Sequence, residues 1–306
     1  MAEAGRKILR FQFAHMLSHE AGTHKGEDAE ELHDMRVATR RMRAAFDVFG
    51  HYFKHKADKK HLKRLRTAGR TLGRVRDLDV FMEKARHHLE TLPESERSGL
   101  APLLEMWEQK RTGKRKKLVS YLESEKFEQF KLEFNEFIST PEASVISNKK
   151  SKPDSNLVKH VVPILIYTRL KAVRSYETLI SNAAAEQLHA LRIELKKLRY
   201  TMEFFREVLG KEAKIVIDEL KTLQDHLGDL NDANVACQIL SEFIEGTEEA
   251  QNKLPLEERQ SLEPMAAYLA AKHAERHSLM VAFPALWERF NRPETMKNIA
   301  LSISGL

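Results

Sequence analysis

The sequence predicts an all-α protein in which one helical unit is repeated. Apolar residues make up 42% of the 306 residues and recur at steps of three and four, which is typical of amphipathic helices. Glycine and proline number only 12 and 9, and alternating runs of β-branched residues are almost absent. Residues 32–43 (LHDMRVATRRMR) match residues 188–199 (LHALRIELKKLR) at an offset of 156. A repeat at this distance indicates two copies of one structural unit, related by a pseudo-two-fold axis.

The repeat extends beyond this first motif. Residues 72–80 (LGRVRDLDV) match residues 227–235 (LGDLNDANV) at an offset of 155, and Phe127 matches Phe283 at 156. Residues 140–156 are rich in Ser, Asn, Lys and Pro and have no apolar period, so they are predicted to form a solvated linker. The sequence therefore predicts a single domain, residues 1–306, built from pseudo-repeats 1–139 and 157–306.

The apolar period predicts the same series of helices in each copy. In order they are about 6–20, 27–50, 58–73, 77–91 and 95–138, with counterparts at about 162–181, 184–209, 212–227, 232–246 and 256–291. Breaks near Gly73 and Gly228 separate the third helix from the fourth, which places Asp77 and Asp232 as N-terminal carboxylates of the fourth helix. Short connections favour antiparallel neighbours, so each half is predicted to be an up-and-down bundle.

The charge of the chain is basic and uneven. The net charge is +6 and the sequence pI is about 9.2. Residues 1–155 carry an excess of eight positive charges, and residues 156–306 carry an excess of two negative charges. The single cysteine, Cys237, excludes an internal disulfide and a cysteine-based metal cluster. Apolar stretches are broken by charges well short of a membrane span, and the N-terminus has no apolar signal core. We therefore expect a cytoplasmic protein that makes no membrane contact.

Cations lie on one side of the repeated helix. At 100° per residue, a narrow stripe contains His33, Arg36, Arg40 and Arg43, opposite a core face of Met35, Met42, Phe46 and Phe49. The second copy repeats this layout with His189, Arg192, Lys196 and Arg199 opposite Leu191, Leu198, Met202 and Phe205. The third helix of the first copy adds Lys63, Arg66, Arg70 and Arg74, whose counterparts are Asp218, Lys221, Asp225 and Asp229. Only the pair Arg66 and Lys221 is cationic in both copies.

Solvated helix faces and ion-pair networks are the ordinary explanation of such stripes. Two observations favour a ligand instead. The repeated stripe has almost no acid within reach, since Asp47 and Glu203 come only at its far end. The four positions are also kept in both copies although the charges of the halves differ, and an exposed cation has no structural need to recur. The histidines beside these arginines are expected to be neutral at pH 7 and easier to charge when an anion binds.

Metal-dependent and nucleophilic chemistry have weaker support. Glu30-x-x-His33 and Glu186-x-x-His189 have the Glu-x-x-His spacing of di-iron bundles. That design needs a Glu from each of two further helices, and the neighbouring cations would repel a metal ion. The sequence contains no recognisable Ser/His/Asp constellation and no glycine-rich phosphate loop. We therefore predict that the protein is not an enzyme and uses no cofactor, metal ligand or catalytic residue.

Anion binding remains as the predicted function. The arginine guanidinium presents a planar fork of donors that fits phosphate oxygens, and lysine adds point charge. Nucleic acid and a simpler phosphate polymer would both fit. Base stacking requires aromatic side chains among the cations, and the stripes contain none, although Tyr200 borders one. This favours a polymer without bases. RNA or DNA binding is the alternative, and a metal-assisted phosphohydrolase is a weaker one.

Three motifs resemble those of the CHAD family, the conserved histidine α-helical domain. They are His-x-x-Arg-Val-x-x-Arg-Arg-x-Arg at 33–43, His-x-x-Arg-x-x-x-Lys-Lys-Leu-Arg-Tyr at 189–200, and Leu-Gly-x-x-Arg-Asp-Leu-Asp-Val at 72–80. The resemblance covers essentially the whole chain. It implies two helical bundles related by a pseudo-two-fold axis, with a basic groove or channel between them. It also implies binding of inorganic polyphosphate, often at polyphosphate granules.

The resemblance also implies which residues bind. By motif they are His33, Arg36, Arg40, Arg43, His189, Arg192, Lys196 and Arg199, with Arg66 and Lys221 from the third helices. The helical wheel adds Lys63, Arg70 and Arg74. Some relatives are fused to a triphosphate-hydrolysing CYTH domain, for which this chain has no room, so no catalytic role is carried over.

Overall fold

The computed structural model describes residues 1–140 and 156–306, apart from the side chains of Lys56, Asp58, Ser95 and Glu96. The prediction of an all-α protein is confirmed, because the described residues form α-helices and short 3₁₀ turns and contain no β-strand. The α-helices are α1 (Ala2–Ser18), α2 (Glu20–Lys25), α3 (Ala29–Phe49), α4 (His55–Glu90), α5 (Ala101–Leu122), α6 (Glu125–Ser139), α7 (Val158–Arg174), α8 (Ala185–Phe204), α9 (Glu212–Gln251), α10 (Glu263–Phe290) and α11 (Pro293–Ile303). Within this part of the chain, no helix is long and apolar enough to cross a membrane.

The chain divides into two compact units. Unit 1 comprises residues 1–84 and 106–161, and unit 2 comprises residues 85–105 and 162–306. This division differs from the predicted repeats, because residues 85–105 belong to unit 2. Within unit 2, the His88 ring lies 4.6 Å from the Tyr268 ring. The predicted linker 140–156 lies almost entirely outside the described residues, and the pseudo-two-fold relation and the basic groove between the halves stay predictions.

The core of unit 1 is a cluster of phenylalanines from α1, α3, α6 and the turn before α4. Its members are Phe13, Phe46, Phe53, Phe127, Phe130, Phe134 and Phe137, each at most 6% exposed. The rings of Phe13 and Phe134 are 4.9 Å apart, and those of Phe53 and Phe137 are 5.3 Å apart. Tilted and edge-to-face contacts of this kind add to the hydrophobic stabilisation. The cluster holds α6 against α1 and α3.

The core of unit 2 forms around α9, which packs against α8, α10 and α11. The helical wheel placed four residues of α8 and its C-terminal end in the core, and all four are buried: Leu191, Leu198, Met202 and Phe205. The corresponding wheel prediction for α3 (Met35, Met42, Phe46 and Phe49) is also confirmed. Both repeated helices therefore turn their cationic stripes away from the core.

The predicted helix breaks at Gly73 and Gly228 are wrong. Both glycines lie inside long helices, α4 and α9, so Asp77 and Asp232 are interior residues and not N-terminal carboxylates. A glycine in a helix interior costs only about 1 kcal/mol relative to alanine. A β-carbon would lie 3.6 Å from Arg36 at Gly73 and 3.9 Å from Arg192 at Gly228, which are ordinary contact distances, so the structure does not require glycine at either position.

Local capping sets other helix ends. The Asp28 carboxylate accepts a hydrogen bond from the Glu30 backbone N–H at 2.8 Å, which fixes the start of α3 close to the predicted position. The predicted long helix at about 95–138 is divided, because Ser124 caps a new helix, α6. Its hydroxyl accepts from the Phe127 N–H at 3.3 Å. The chain can then turn and place the phenylalanines of α6 in the core.

His61 makes the stability of unit 1 dependent on pH. The imidazole is 4% exposed and lies against the rings of Phe134 and Phe137. Burial, together with the charges of Arg64 and Lys60 and against the opposing effect of Glu133, lowers its pKa from 6.5 to about 4. Because the folded pKa lies below the unfolded value, the stabilisation is complete above pH 6.5. It is lost as the pH falls towards 4.

We expect His61→Gln to flatten the dependence of the unfolding free energy on pH between 6.5 and 4. At about 1.36 kcal/mol per pKa unit, the wild-type protein should lose about 3 kcal/mol more than the variant over this range. Urea denaturation at four pH values measures this difference. His87→Gln, whose side chain is 81% exposed, is the matched control and should follow the wild type. Parallel curves for all three proteins would contradict the account.

Candidate functional site

In unit 1, two arginines of the α3 stripe lie directly against α4. A β-carbon added to Gly69 would lie 3.3 Å from Nη1 of Arg43, and one added to Gly73 would lie 3.6 Å from Nε of Arg36. Both arginines therefore lie along the surface of α4, and Arg43 approaches the helix most closely, at Gly69. The α3 stripe and the cations of α4 therefore form one continuous surface.

We call this surface the unit 1 basic face. Its members are His33, Arg36, Arg40, Arg43, Lys63, Arg66, Arg70 and Arg74, all of them predicted from the sequence. The four α3 residues are half-buried, and the four α4 residues are exposed. Within the described parts of the chain, Lys63, Arg66, Arg70 and Arg74 make no ion pair, unlike Lys60 and Arg64 on the same helix. This exposed row is available to an anionic ligand.

Arg36 has an acidic partner on α4. Its Nη2 donates to Oδ1 of Asp77 at 3.2 Å, and the two side chains are 33% and 56% exposed. An ion pair at this exposure contributes only about 0–1 kcal/mol to stability. A multiply charged anion can therefore compete with Asp77 for Arg36.

Arg40 and Arg43 concentrate positive charge at the centre of the face. The Nε atom of Arg40 is buried without a hydrogen-bond partner among the described residues. Burial lowers the pKa of Arg43, and the charges of Arg66 and Arg70 lower it further. Asp47 opposes this shift. A guanidinium keeps its charge in spite of such shifts, so the local field attracts anions.

His33 lies at one end of the face and is held neutral. Burial lowers the pKa of the imidazole, and the charge of Arg76 lowers it further, with a smaller contribution in the same direction from Arg40. Glu30 and Asp34 act in the opposite direction. The Nδ1 atom of His33 is buried and has no hydrogen-bond partner among the described residues. An anion bound near this ring would raise its pKa and favour the charged donor form.

In unit 2, the equivalent histidine has a different environment. His189 is exposed, and its Nδ1 lies 2.8 Å from Oδ1 of Asn231. Asn231 occupies the repeat position of Arg76, so a neutral amide stands where unit 1 has a cation. Beside His189 is a cavity of about 270 Å³ whose polar wall includes Glu186, Asn234 and Gln238. This part of unit 2 offers hydrogen bonds and little positive charge.

Arg199 is held by neighbours within unit 2. Its Nη1 donates to Oε1 of Glu203 at 2.9 Å, and the two side chains are only 16% and 17% exposed. The guanidinium also lies 5.0 Å from the centre of the Tyr200 ring. Glu203, which the sequence placed at the far end of the stripe, lies one helical turn from Arg199 on the same face and pairs with it.

The remaining predicted residues of unit 2 share their surface with acids. Arg192 lies against α9, where a β-carbon on Gly228 would be 3.9 Å from its Nε. Lys196 is half-buried, and Lys221 is exposed on α9. The same helix exposes three carboxylates at Asp218, Asp225 and Asp229. Unit 2 thus carries a mixed surface, in contrast to the unit 1 basic face.

The Glu-x-x-His pairs do not assemble further ligands. Among residues 1–140 and 156–306, no group of three or more His, Cys, Asp or Glu side chains is placed to hold a metal ion. Cys237 is buried, and burial raises the pKa of its thiol. The side chains around His33 include Arg76 and Arg40, and these cations disfavour a metal ion at that position.

One neighbour of the face was missed in the sequence. Arg76 faces His33 from α4, yet its helical position does not coincide with the stripe at 63, 66, 70 and 74. The signal was present in the second repeated motif, where Arg76 aligns with Asn231. The histidine therefore has a cation beside it in unit 1 and a neutral amide beside it in unit 2.

Fold and site together define an all-helical protein with a solvent-exposed cationic helix face. The CHAD domain family model matches residues 7–241, more than three quarters of the chain. The chain therefore belongs to the CHAD family, which is known to bind polyphosphate-like ligands. No sequence among the curated proteins matches this chain.

Two solved structures share the fold. The crystal structure of the CHAD domain from the plant Ricinus communis aligns with a TM-score of 0.63 and 22% identity, covering 100% of this chain and 92% of that chain. PptA from Streptomyces chartreusis aligns with a TM-score of 0.66 and 15% identity, covering 94% and 99%. At these identities the comparison establishes the fold alone.

Proposed function

We propose that this protein binds inorganic polyphosphate through the unit 1 basic face and does not hydrolyse it. The observation that carries the proposal is the exposed row Lys63, Arg66, Arg70 and Arg74, which makes no ion pair among the described residues. Within the described residues no carboxylate neutralises these four side chains, so their charges remain available to a ligand. Membership of the CHAD family supports the same ligand class.

The length of the row supports a polymer over a single phosphate. Lys63 and Arg74 are eleven residues apart on α4, and a rise of 1.5 Å per residue places them about 16 Å apart along the axis. A compact anion would reach one or two of these side chains. A linear phosphate chain lying along α4 would contact all four, and Arg36, Arg40 and Arg43 would approach it from α3.

The proposed absence of hydrolysis rests on the chemistry of the donors. Arginine and lysine side chains hold phosphate oxygens through charge-assisted hydrogen bonds. Guanidinium groups do not accept a proton at neutral pH, so they cannot serve as a general base for an attacking water. His33 is the exception, and burial together with the charge of Arg76 lowers its pKa and keeps it neutral until an anion arrives. In this proposal it becomes a donor to bound phosphate.

Binding within the cytoplasm, with association to polyphosphate granules, is the setting we propose. A nucleic acid is the second candidate ligand, because the same row would neutralise its phosphates. The cations of the face have no exposed aromatic side chain between them on α3 or α4, which favours a polymer without bases.

The salt dependence of affinity tests the proposal. Each neutralised phosphate of a single strand contributes roughly −0.7 to the slope of log affinity against log salt. We therefore expect a slope of about −3 or steeper for long-chain polyphosphate, measured by fluorescence anisotropy between 50 and 300 mM salt. A slope near zero would show that charge neutralisation does not drive binding, and the proposal would be wrong.

A further inference from the structure

We infer that unit 1 contains a second anion site, a pocket between α2 and α5 that takes a short chain of linked phosphates. The pocket has a volume of about 650 Å³ and is lined by His24, Lys25, Arg111, Arg115 and Lys116, with hydroxyls from Thr112 and Ser120. It shares no residue with the unit 1 basic face. The inference is therefore independent of the proposed function.

The sequence of α5 supplies the charge. Residues 110–117 (KRTGKRKK) contain six cations and no acid, and three of the six line the pocket. Lys25 adds a further cation from the end of α2. Lys25 and Lys116 are exposed and make no ion pair within the described residues. Their ammonium groups are the two donors that a ligand would reach first.

The Arg115 side chain forms part of the pocket wall and links α5 to α2. Its Nη2 donates to the carbonyl oxygens of His24 at 2.8 Å and Thr23 at 3.2 Å. The chain turns sharply after α2 at Gly26, where φ is 72°. A β-carbon at Gly26 would lie 1.9 Å from Nη2 of Arg115, so only glycine allows the guanidinium to sit there. These contacts hold α2 at a fixed distance from α5.

Three acidic side chains near the pocket already contact basic residues of its lining. Asp79 and Glu108 both pair with Arg111, and the Asp79 side chain is only 10% exposed. Glu123 contacts Nε2 of His24 at 2.8 Å, with both side chains substantially exposed. The four lining cations Lys25, Arg111, Arg115 and Lys116 exceed the three carboxylates Asp79, Glu108 and Glu123 by one positive charge, with His24 counted as neutral. A phosphate oligomer could accept hydrogen bonds from the lysine and arginine side chains of the lining, and it would compete with Glu123 for His24.

The pocket and the unit 1 basic face lie on different sides of α4. Asp77 faces Arg36 of α3, whereas Asp79 faces Arg111 of α5. Two residues correspond to about 200° of rotation around a helix, so the α3-facing and α5-facing sides are nearly opposite. The volume lies in the range of about 300–1,000 Å³ that small-molecule sites occupy. We therefore assign a short oligophosphate to the pocket and the long polymer to the face.

Calorimetric titration with tripolyphosphate tests the site. We expect Lys25→Ala/Lys116→Ala to lower the affinity at least tenfold. The control Lys110→Ala/Lys117→Ala removes the same charge from exposed positions of α5 outside the pocket and should change affinity less than threefold. Ser120→Glu, which places a negative charge on the wall, should weaken binding comparably. Equal losses in the first two variants, or none in Ser120→Glu, would overturn the inference.

Two further measurements distinguish binding in this pocket from binding to the unit 1 basic face. A variant with alanine at 63, 66, 70 and 74 should lose long-chain polyphosphate and keep tripolyphosphate. If tripolyphosphate binding disappears with the long-chain binding, the pocket is not an independent site and the inference fails. ATP as a competitor distinguishes the source of the phosphates: displacement at equal concentration supports a nucleotide ligand for the same pocket, and its absence supports an inorganic oligophosphate.

Discussion

Replacing Lys63, Arg66, Arg70 and Arg74 with alanine should reduce the affinity for long-chain polyphosphate about 100-fold at low salt. Exposed charge pairs contribute up to about 1 kcal/mol each, and the four contacts together would account for this loss. The slope of log affinity against log salt should become shallower by about 3, because four neutralised phosphates are removed. Anisotropy titrations of the wild type and the variant at several salt concentrations measure both quantities.

A second variant controls for net charge. Lys7, Lys110, Lys117 and Lys126 are exposed residues of unit 1 outside the basic face. Changing all four to alanine lowers the net charge equally and should reduce affinity less than fivefold. All eight side chains are exposed, so neither variant should lose helical signal. If the two variants weaken binding equally, the protein attracts polyphosphate through its general charge and the face is not a site.

The two units should contribute unequally to binding. Arg40→Gln/Arg43→Gln removes two cations from the centre of the unit 1 basic face, and we expect affinity to fall more than tenfold. Lys196→Gln/Arg199→Gln removes the repeat counterparts, and we expect a loss below threefold. The reason is that Glu203 and the Tyr200 ring already hold the Arg199 guanidinium.

The free energy of unfolding should fall more in Lys196→Gln/Arg199→Gln than in Arg40→Gln/Arg43→Gln, the opposite order to the losses of affinity. Removing Arg199 leaves the largely buried Glu203 carboxylate without this partner, so the unit 2 variant should unfold at lower denaturant concentration than the unit 1 variant. Affinity titrations and urea denaturation of the same two proteins check both expectations. A tenfold or greater loss of affinity in the unit 2 variant would mean that the ligand displaces Glu203 and that both units bind equally.

The periodic part of the structure was predictable from the sequence. The helical wheel identified the buried face of α3, including Met35 and Met42, because a 3.6-residue period directly reports which side of a helix is covered. The same wheel placed Arg40 and Arg43 off the core. These predictions succeeded because they depend on residues three and four positions apart.

Predictions that depended on neighbouring helices failed or were missed. Gly73 was interpreted as a helix break, since a glycine that ends a helix and one inside a helix look alike in a single sequence. The contact of Arg76 with His33 depends on the packing of α4 against α3. The pocket beside Lys116 depends on a contact between Arg115 and Thr23, which are 92 residues apart. No local pattern encodes such contacts.

The central claim is that the protein binds a phosphate polymer without bases and leaves it intact. A competition titration tests this most directly: labelled long-chain polyphosphate is bound, and single-stranded RNA is added at equal phosphate concentration while released orthophosphate is measured in the same samples. We predict that RNA does not displace the polyphosphate and that no orthophosphate accumulates. Displacement by RNA would show that the face binds nucleic acid as well, and steady release of orthophosphate would show an enzyme; either result would contradict the account.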